Sequence, residues 1–401
     1  MADFLPRDSL LNVFAVGIYG EAEFWLSGGK VFLLMMLFFF TFVTMVGGNP
    51  QHDAYGFRYW NDPGAFVEFS STGNLGRFEA FLSALWTASF TCVGPEFVGM
   101  MSAEAKHPRT YVKTAYKVVY WRIILFFLGG ALAVGILVPY NDPVLEAVYK
   151  HGTGESGSAA ASPYIIAMRN MSIPVLPHIA TALLATTIFS AGNTYVYCAT
   201  RSLYGLALEG RAPKIFTKCT KKGVPIFCIA LVMLSPFLAF LQMSSGSATV
   251  LTWLINLATG ATLIDNIVIC ITYVCFHRAC KAQGLDRKTL PYRGWFQPWC
   301  GYMALTLEVL IATCYGYKSF KPFDVSAFVT AYTMPILVPI LFVVWKLLKG
   351  TRWLRPGEVD LVWEAPSITA YEEALEERPI GFFRDCAQFF TAKRKVSKED
   401  A

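Results

Sequence analysis

The sequence is short of charged residues. Asp, Glu, Lys and Arg together make up 15% of its 401 residues, against about 25% in a typical soluble domain. Hydrophobic residues make up 55% of the chain, and the mean hydropathy is +0.44. A water-soluble domain could not cover so much apolar surface with so few charges. The composition therefore excludes an ordinary soluble enzyme and predicts a polytopic membrane protein.

Several motifs of common catalytic and metal sites are also missing. The ten cysteines form no CxxC pair of the kind that binds zinc, and most lie in or beside apolar runs, where cysteine acts as a small hydrophobe. No GxxxxGK[ST], HExxH or GxSxG segment is present to indicate ATP-driven transport or hydrolase chemistry. The net charge is +6, but the basic residues fall in short loops rather than in one patch. We therefore expect no enzyme activity, cofactor, metal or nucleic acid partner.

Eight apolar runs are long enough to cross a bilayer, which takes about 20 residues per helix. They cover residues 25–47, 79–102, 118–139, 173–200, 224–243, 249–276, 297–317 and 324–347. We therefore predict an all-α protein with about eight transmembrane helices over residues 25–353. A lead-in, residues 1–24, would hold the remnant of a preceding helix, and residues 354–401 would form a tail.

Lysine and arginine are distributed unevenly between the loops on the two sides of this predicted bundle. The loops on one side carry nineteen, and those on the other side carry six. Because basic loops stay in the cytoplasm, the richer side is predicted to be cytoplasmic. With eight spans, both termini then lie in the cytoplasm, and the lead-in and the tail are cytoplasmic segments.

The second apolar run is interrupted by Gly94 and Pro95, which Glu96 follows. Proline lacks a backbone donor and disfavours helix in the residue before it. In lipid, unsatisfied backbone is tolerated only where it is buried or lines a wet cavity. The interruption indicates either a simple proline kink or a site where free amides and carbonyls bind a small polar ligand. The adjacent Glu96 favours the site.

Three other ionisable residues lie at membrane depth: Lys30, Asp265 and Glu308. Such residues face a cavity, pair with one another or snorkel to the interface. Lys30 is close enough to the end of its helix to snorkel, and a Lys30–Asp265 pair is also compatible with the sequence. Asn193 lies among small residues that permit close helix packing or a water-lined pathway. Glu96, Asn193 and Asp265 are therefore candidate pathway residues.

Several segments, taken in their order and spacing, resemble fungal amino acid permeases of the amino acid–polyamine–organocation transporter superfamily. The resemblance covers most of the chain, and each motif is weak alone. The motifs are Gly20-Glu21-Ala22-Glu23-Phe24-Trp25 before Lys30, Gly56–Trp60, Pro63–Phe66, the Phe90–Glu96 interruption, Glu104–Arg109, Val138–Pro143, Ala191–Asn193, Gly210–Pro213, Leu290–Arg293 and Asp360-Leu361.

The resemblance implies a fold of two five-helix inverted repeats followed by two more helices. The substrate would lie at mid-membrane between the interrupted helices one and six. This chain would hold helices five to twelve, with the helix-six interruption in the second apolar run. Phe90, Thr91, Cys92 and Gly94 are then implied to line the substrate site.

Lys30 matches the helix-five lysine of the family. In proton-coupled relatives this lysine stands where sodium-coupled relatives bind a sodium ion, so Lys30 is implied to couple a proton to transport. The implied function is proton-coupled uptake of amino acids by alternating access, most naturally at the plasma membrane. The implied partners are an amino acid, protons and the lipid bilayer.

Two features depart from the family pattern. Helices one to four, with the Gly-rich interruption of helix one, have no counterpart in the sequence, so half of the expected site is missing from it. Asp265 also stands where the family usually has a tryptophan after a small polar residue. These departures keep a second hypothesis open, namely a non-transporting permease fragment or a regulatory membrane protein.

Overall fold

A computed structural model describes residues 16–69, 71–91, 94–150, 162–221, 223–238, 245–320 and 323–375. These residues are largely helical, and the only β-type pairing among them is an isolated bridge between Phe320 and Phe323. The helices in chain order are α1 (Val16–Met45), α2 (Gly73–Thr91), α3 (Pro95–Met101), α4 (Pro108–Leu137), α5 (Pro143–Lys150), α6 (Pro163–Asn170), α7 (Leu176–Leu208), α8 (Ile226–Val232), α9 (Ser245–Ala282), α10 (Trp299–Cys314), α11 (Val325–Lys349) and α12 (Ala365–Glu373).

Five of these helices contain a stretch long and apolar enough to cross a membrane: α1, α4, α7, α9 and α11. Two shorter apolar helical segments are Ile226–Leu238 and Trp299–Cys314. In the most apolar stretch of each long helix, at most 22% of the residues are buried inside the chain. Most large apolar side chains therefore face outward, as contact with lipid requires. The predicted all-α, polytopic membrane fold is confirmed.

Helix α1 begins at Val16. Its stretch that could cross a membrane is Ala22–Met45, against the predicted span 25–47. In the structure the Glu23 carboxylate is paired with Lys30, two helical turns further on. Since the pairing satisfies the charge within the helix, the helix continues past Glu23.

The helices pack in two groups. In the first group α1, α4, α6 and α7 enclose a core that includes Leu37, Ile165 and Ala180. In the second group α2, α9 and α10 pack around Trp86 and Leu263, and α11 lies along α9. The short helix α3 packs on α4 and α7 of the first group. The interrupted second span therefore starts in one group and ends in the other.

The first part of the predicted tail docks on one end of the bundle. The Arg109 guanidinium, at the start of α4, donates hydrogen bonds to the carbonyl of Ala365 at 2.9 Å and to the hydroxyl of Thr369 at 2.8 Å. The Gln283 amide, just after α9, donates to the carbonyl of Val359 at 2.7 Å. These contacts hold α12 and the segment before it against the ends of two long helices.

Candidate functional site

The structure has the interruption that Gly94 and Pro95 predict. Helix α2 ends at Thr91, and α3 begins at Pro95. Gly94 is buried and has φ of 133°, in the left-handed region that side chains other than glycine's rarely adopt. Its amide donates to Oε2 of Glu96 at 3.1 Å. The helix is therefore broken at a buried point. The Glu96 carboxylate accepts the hydrogen bond of the Gly94 amide, which the break leaves outside the helical hydrogen bonds.

Helix α4 closes one side of the interruption. A Cβ atom added to Gly94 would lie 2.3 Å from a terminal nitrogen of Arg122, so the guanidinium lies directly on the glycine. One turn along α3, a Cβ on Gly99 would lie 3.3 Å from the Tyr116 hydroxyl. Glycine at both positions allows α4 to approach the backbone closely.

Helix α7 closes a second side with aromatic and sulfur-containing side chains. The ring of Phe97 on α3 meets Tyr195 edge to face, with ring centroids 5.4 Å apart. Tyr197 and Cys198 are buried and pack against Phe97 and Met101. The helix after the interruption is thus anchored by side-chain packing on α7.

A charged cluster fixes the far end of α3 to α7. Arg201 lies against Glu104, with Nε 2.6 Å from Oε1, and its guanidinium also stacks over the Tyr197 ring at 5.0 Å from the centroid. The Tyr197 hydroxyl donates to the other oxygen of Glu104. This Glu104–Tyr197–Arg201 clamp ties the segment after the interruption to the first group of helices.

The second group of helices brings Asp265 towards the interruption. Asp265 lies on α9 and is exposed in the chain. The Glu96 carboxylate acts on it electrostatically, and also on Tyr116 and Tyr195. Two of the predicted pathway residues, Glu96 and Asp265, are therefore close enough to interact electrostatically. Within the described ranges, no group of three or more His, Cys, Asp or Glu side chains could hold a metal ion.

The remaining predicted residues at the interruption are described in part. Cys92 and the side chain of Phe90 lie outside the described residues. The Thr91 hydroxyl donates to the carbonyl of Thr87 at 2.7 Å, one turn back in α2. Asn193 is fully buried in α7, in the turn after Ser190, which is also fully buried.

Lys30 lies in a separate cluster between α1 and α7. Its Nζ is 3.1 Å from Oε1 of Glu23, so Lys30 pairs with Glu23 rather than with Asp265. The same oxygen accepts hydrogen bonds from Ser27 at 3.3 Å and from Ser190 of α7 at 2.5 Å. The side chains of Lys30 and Glu23 are 31% and 20% exposed. We call these four residues the Glu23 cluster.

Three residues of these sites do not stand out in the sequence: Glu23, Arg122 and Ser190. Glu23 and Lys30 are seven residues apart, a spacing that places them on one face of a helix, and this was the available signal. Arg122 sits in an apolar run of α4, and its contact with Gly94 depends on how α4 packs. Ser190 reaches Glu23 across 167 positions of sequence, which no local pattern reveals.

Comparison with known proteins identifies the family. Residues 9–355 match the amino acid permease family. General amino acid permease AGP2 of Saccharomyces cerevisiae is 41% identical over 374 residues, which cover 90% of this chain and 62% of AGP2. The dicarboxylic amino acid permease of the same yeast is 39% identical, with 89% and 59% covered. Its lysine-specific permease is 36% identical, with 90% and 58% covered.

This chain thus spans about three fifths of the length of these relatives. A search of solved structures finds no match to it. The family match covers most of the chain, and the helices have the length and apolar surface that a multi-pass membrane protein requires. The chain belongs to the amino acid permease family.

Proposed function

We propose that this protein carries amino acids across the plasma membrane by alternating access, coupled to the movement of protons. The observation that carries the proposal is the interrupted span, which begins in one group of helices with α2 and ends in the other with α3. A buried interruption at this junction leaves the Gly94 amide outside the helical hydrogen bonds, where a ligand could take the place of Glu96. Relative motion of the two groups would open the same site to either side.

The geometry at Gly94 suits the carboxylate of an amino acid. The Gly94 amide already binds a carboxylate, because it donates to Glu96. We infer that a substrate carboxylate takes this place when it binds, which frees Glu96 to interact with the substrate ammonium group. Phe90, Thr91, Cys92 and Gly94 would then line the site, as the resemblance implies.

Lys30 is proposed to couple the proton. A lysine near a partly dry helix interface can bind and release a proton during a transport cycle, whereas arginine holds its proton throughout the accessible range. The pairing of Lys30 with Glu23 supports a role inside the bundle, because a snorkelling lysine would extend to the headgroup region instead.

The orientation proposed is the one with both termini in the cytoplasm. It rests on the excess of Lys and Arg in one set of loops. The docked segment before and within α12 then lies on the cytoplasmic face, with Arg109 and Gln283 as its anchors. The lipid bilayer is the remaining partner, and no cofactor enters the proposal.

The substrate class proposed is amino acids in general. The relatives are named as a general, a dicarboxylic and a lysine-specific amino acid permease. Because those names differ at similar identity, they select no single amino acid. Asp265 and Glu96 together favour a substrate with positive charge at its amino end, which every free amino acid has at neutral pH.

Uptake of a panel of labelled amino acids into a permease-deficient yeast that expresses this chain tests the proposal. We expect at least one amino acid to accumulate above the empty-vector control, and to accumulate faster at acidic than at neutral external pH. Surface labelling would establish that the chain reaches the plasma membrane. If the chain is at the surface and no amino acid accumulates, the protein is a non-transporting permease and the proposal is wrong.

A further inference from the structure

The two carboxylate oxygens of Glu23 have different surroundings, and the proposed role of Lys30 does not explain this difference. Three donors, from Lys30, Ser27 and Ser190, converge on Oε1 of Glu23. The second oxygen, Oε2, is buried, and it has no hydrogen-bond partner within the described part of the chain. A carboxylate spreads its charge over both oxygens, so Oε2 is an acceptor left without a donor. Leaving such a buried acceptor without a donor is unfavourable.

Among the described residues, few other titratable groups lie near Glu23. On α1 the charged group in contact with it is Lys30. Helix α7 contributes Ser190, while its titratable residues in the following turns, Tyr195, Tyr197 and Cys198, pack against α3.

Helix α4 also packs against α1, but it meets α1 where Gly129 lies on Phe38. The nearest charged residue along α4 is Arg122, and it lies on Gly94. Among the described residues, Lys30 is therefore the main counter-ion of the Glu23 carboxylate.

We propose that Glu23 is a proton-accepting and positioning partner of Lys30, and that a proton bound at Glu23 Oε2 breaks the Glu23–Lys30 ion pair on α1. The inference rests on the proposed proton-coupled function, which it deepens. A hydronium ion transfers its proton to Oε2: one O–H bond of hydronium breaks, an O–H bond forms at Oε2, and water and a neutral carboxylic acid result. Lys30 keeps its own proton in this step.

The consequence of this step follows from the charges. A neutral carboxylic acid still accepts hydrogen bonds from the two serine hydroxyls at Oε1, but it no longer balances an ammonium group. Lys30 then loses its counter-ion and is freed to move or to give up its proton. Protonation of Glu23 would thus release Lys30, while the hydrogen bond from Ser190 of α7 to Glu23 remains, and deprotonation would restore the Glu23–Lys30 pair.

The variant E23Q tests this inference directly. Glutamine has nearly the same size and still accepts hydrogen bonds, but it cannot bind a proton. In the full chain, we expect the ratio of acid to neutral uptake to fall to about one, with surface abundance unchanged. The matched control is E209Q, which makes the same change in the exposed Glu209–Arg211 pair outside the cluster, and which should keep the wild-type pH profile. E23D, which restores the titratable group, should recover part of the pH dependence.

A second measurement separates this inference from the proposed function. Infrared difference spectra of the purified chain in lipid, recorded on acidification, should show the carbonyl stretch of a newly protonated carboxylic acid. That band should be lost in E23Q and should persist in E209Q. If the wild type shows no pH-dependent uptake but the band is present and lost in E23Q, the proton-coupled function fails and the protonation of Glu23 stands. If E23Q keeps the band, or keeps the wild-type pH profile of uptake, the inference is wrong.

Discussion

The interruption at Gly94 and the Glu23 cluster differ in how each is built. At Gly94 the helix itself is broken, and a backbone amide is satisfied by the carboxylate of Glu96. At Glu23 both helices are regular, and the polarity comes from side chains that meet between α1 and α7. In the proposed mechanism, the first arrangement binds the substrate through the backbone, whereas the second holds a pair of charges that a proton rearranges.

In the proposed mechanism, the two sites have different roles. Backbone groups have fixed partial charges and recognise what every amino acid shares, its carboxylate and ammonium groups. Ionisable side chains change charge, so they suit coupling to a proton. The two sites meet on α7, where Ser190 bonds to Glu23 and Tyr195 packs on Phe97 of α3. A movement of α7 would therefore change the contacts at both sites.

The largest effect is expected from Lys30→Met, which removes the ammonium group and leaves Glu23 as an unbalanced charge. Proton-driven uptake should be abolished while surface abundance stays near the wild-type level. Lys30→Arg should also fail, because guanidinium does not release its proton in the accessible range. Uptake at several external pH values would check both variants. Normal transport by Lys30→Arg with unchanged pH dependence would mean that Lys30 is structural.

Gly94→Ala is expected to have the next largest effect, on the other site. The contact with Arg122 could be relieved by a movement of that flexible side chain, but the φ of 133° would still be strained for alanine. Such strain costs about 1–3 kcal/mol, so uptake should fall about ten-fold. Gly130→Ala is the control, because Gly130 has open space around it. Equal uptake by the two variants would show that the interruption at Gly94 has no role in transport.

A smaller effect is expected from Glu104→Gln, which weakens the clamp between α3 and α7. The amide loses the charge that faces Arg201, and both side chains are partly exposed, at 17% for Arg201 and 31% for Glu104. We expect a stability loss of about 1 kcal/mol, seen as a lower Tm in detergent.

The matched control for the clamp is Glu209→Gln. Glu209 pairs with Arg211 at 3.0 Å, but the two side chains are 59% and 60% exposed. Solvent screens this pair, so its loss should leave the Tm unchanged. A Tm that falls equally in both variants would contradict the structural role of the clamp.

The smallest effect is expected at Asp53 and Arg58, in the loop after α1. The Arg58 guanidinium donates to both oxygens of the Asp53 carboxylate, at 2.6 and 2.8 Å, and lowers the pKa of that carboxyl. Because the pKa is lower in the folded state, the pair stabilises the fold above the usual pKa of aspartate and loses this effect as the pH falls through the lowered value. Asp53→Asn should leave uptake unchanged and flatten the acid side of a plot of Tm against pH. A loss of uptake would contradict this prediction, because it would mean that an exposed ion pair outside both sites is needed for transport.

The interruption could be predicted from sequence, and the Glu23 cluster could not. Gly94 and Pro95 act locally, on the backbone of their own helix, so their effect is legible in the sequence. The apolar runs could be predicted for the same reason, because the length of each run depends only on neighbouring residues and indicates the length of one helix. The partner of Lys30 depends on which face of α1 meets α7, and Ser190 comes from a distant part of the chain. Arg122 was missed because its position on Gly94 is set by the approach of α4.

The most direct test of proton-coupled transport is substrate-driven proton movement in liposomes that contain the purified chain. A pH-sensitive dye inside the liposomes would report acidification when an amino acid taken up in the yeast assay is added outside. We predict acidification with the wild-type chain and none with Lys30→Met, at equal protein content. Acidification that persists in Lys30→Met, or amino acid entry without any proton movement in the wild type, would contradict the account.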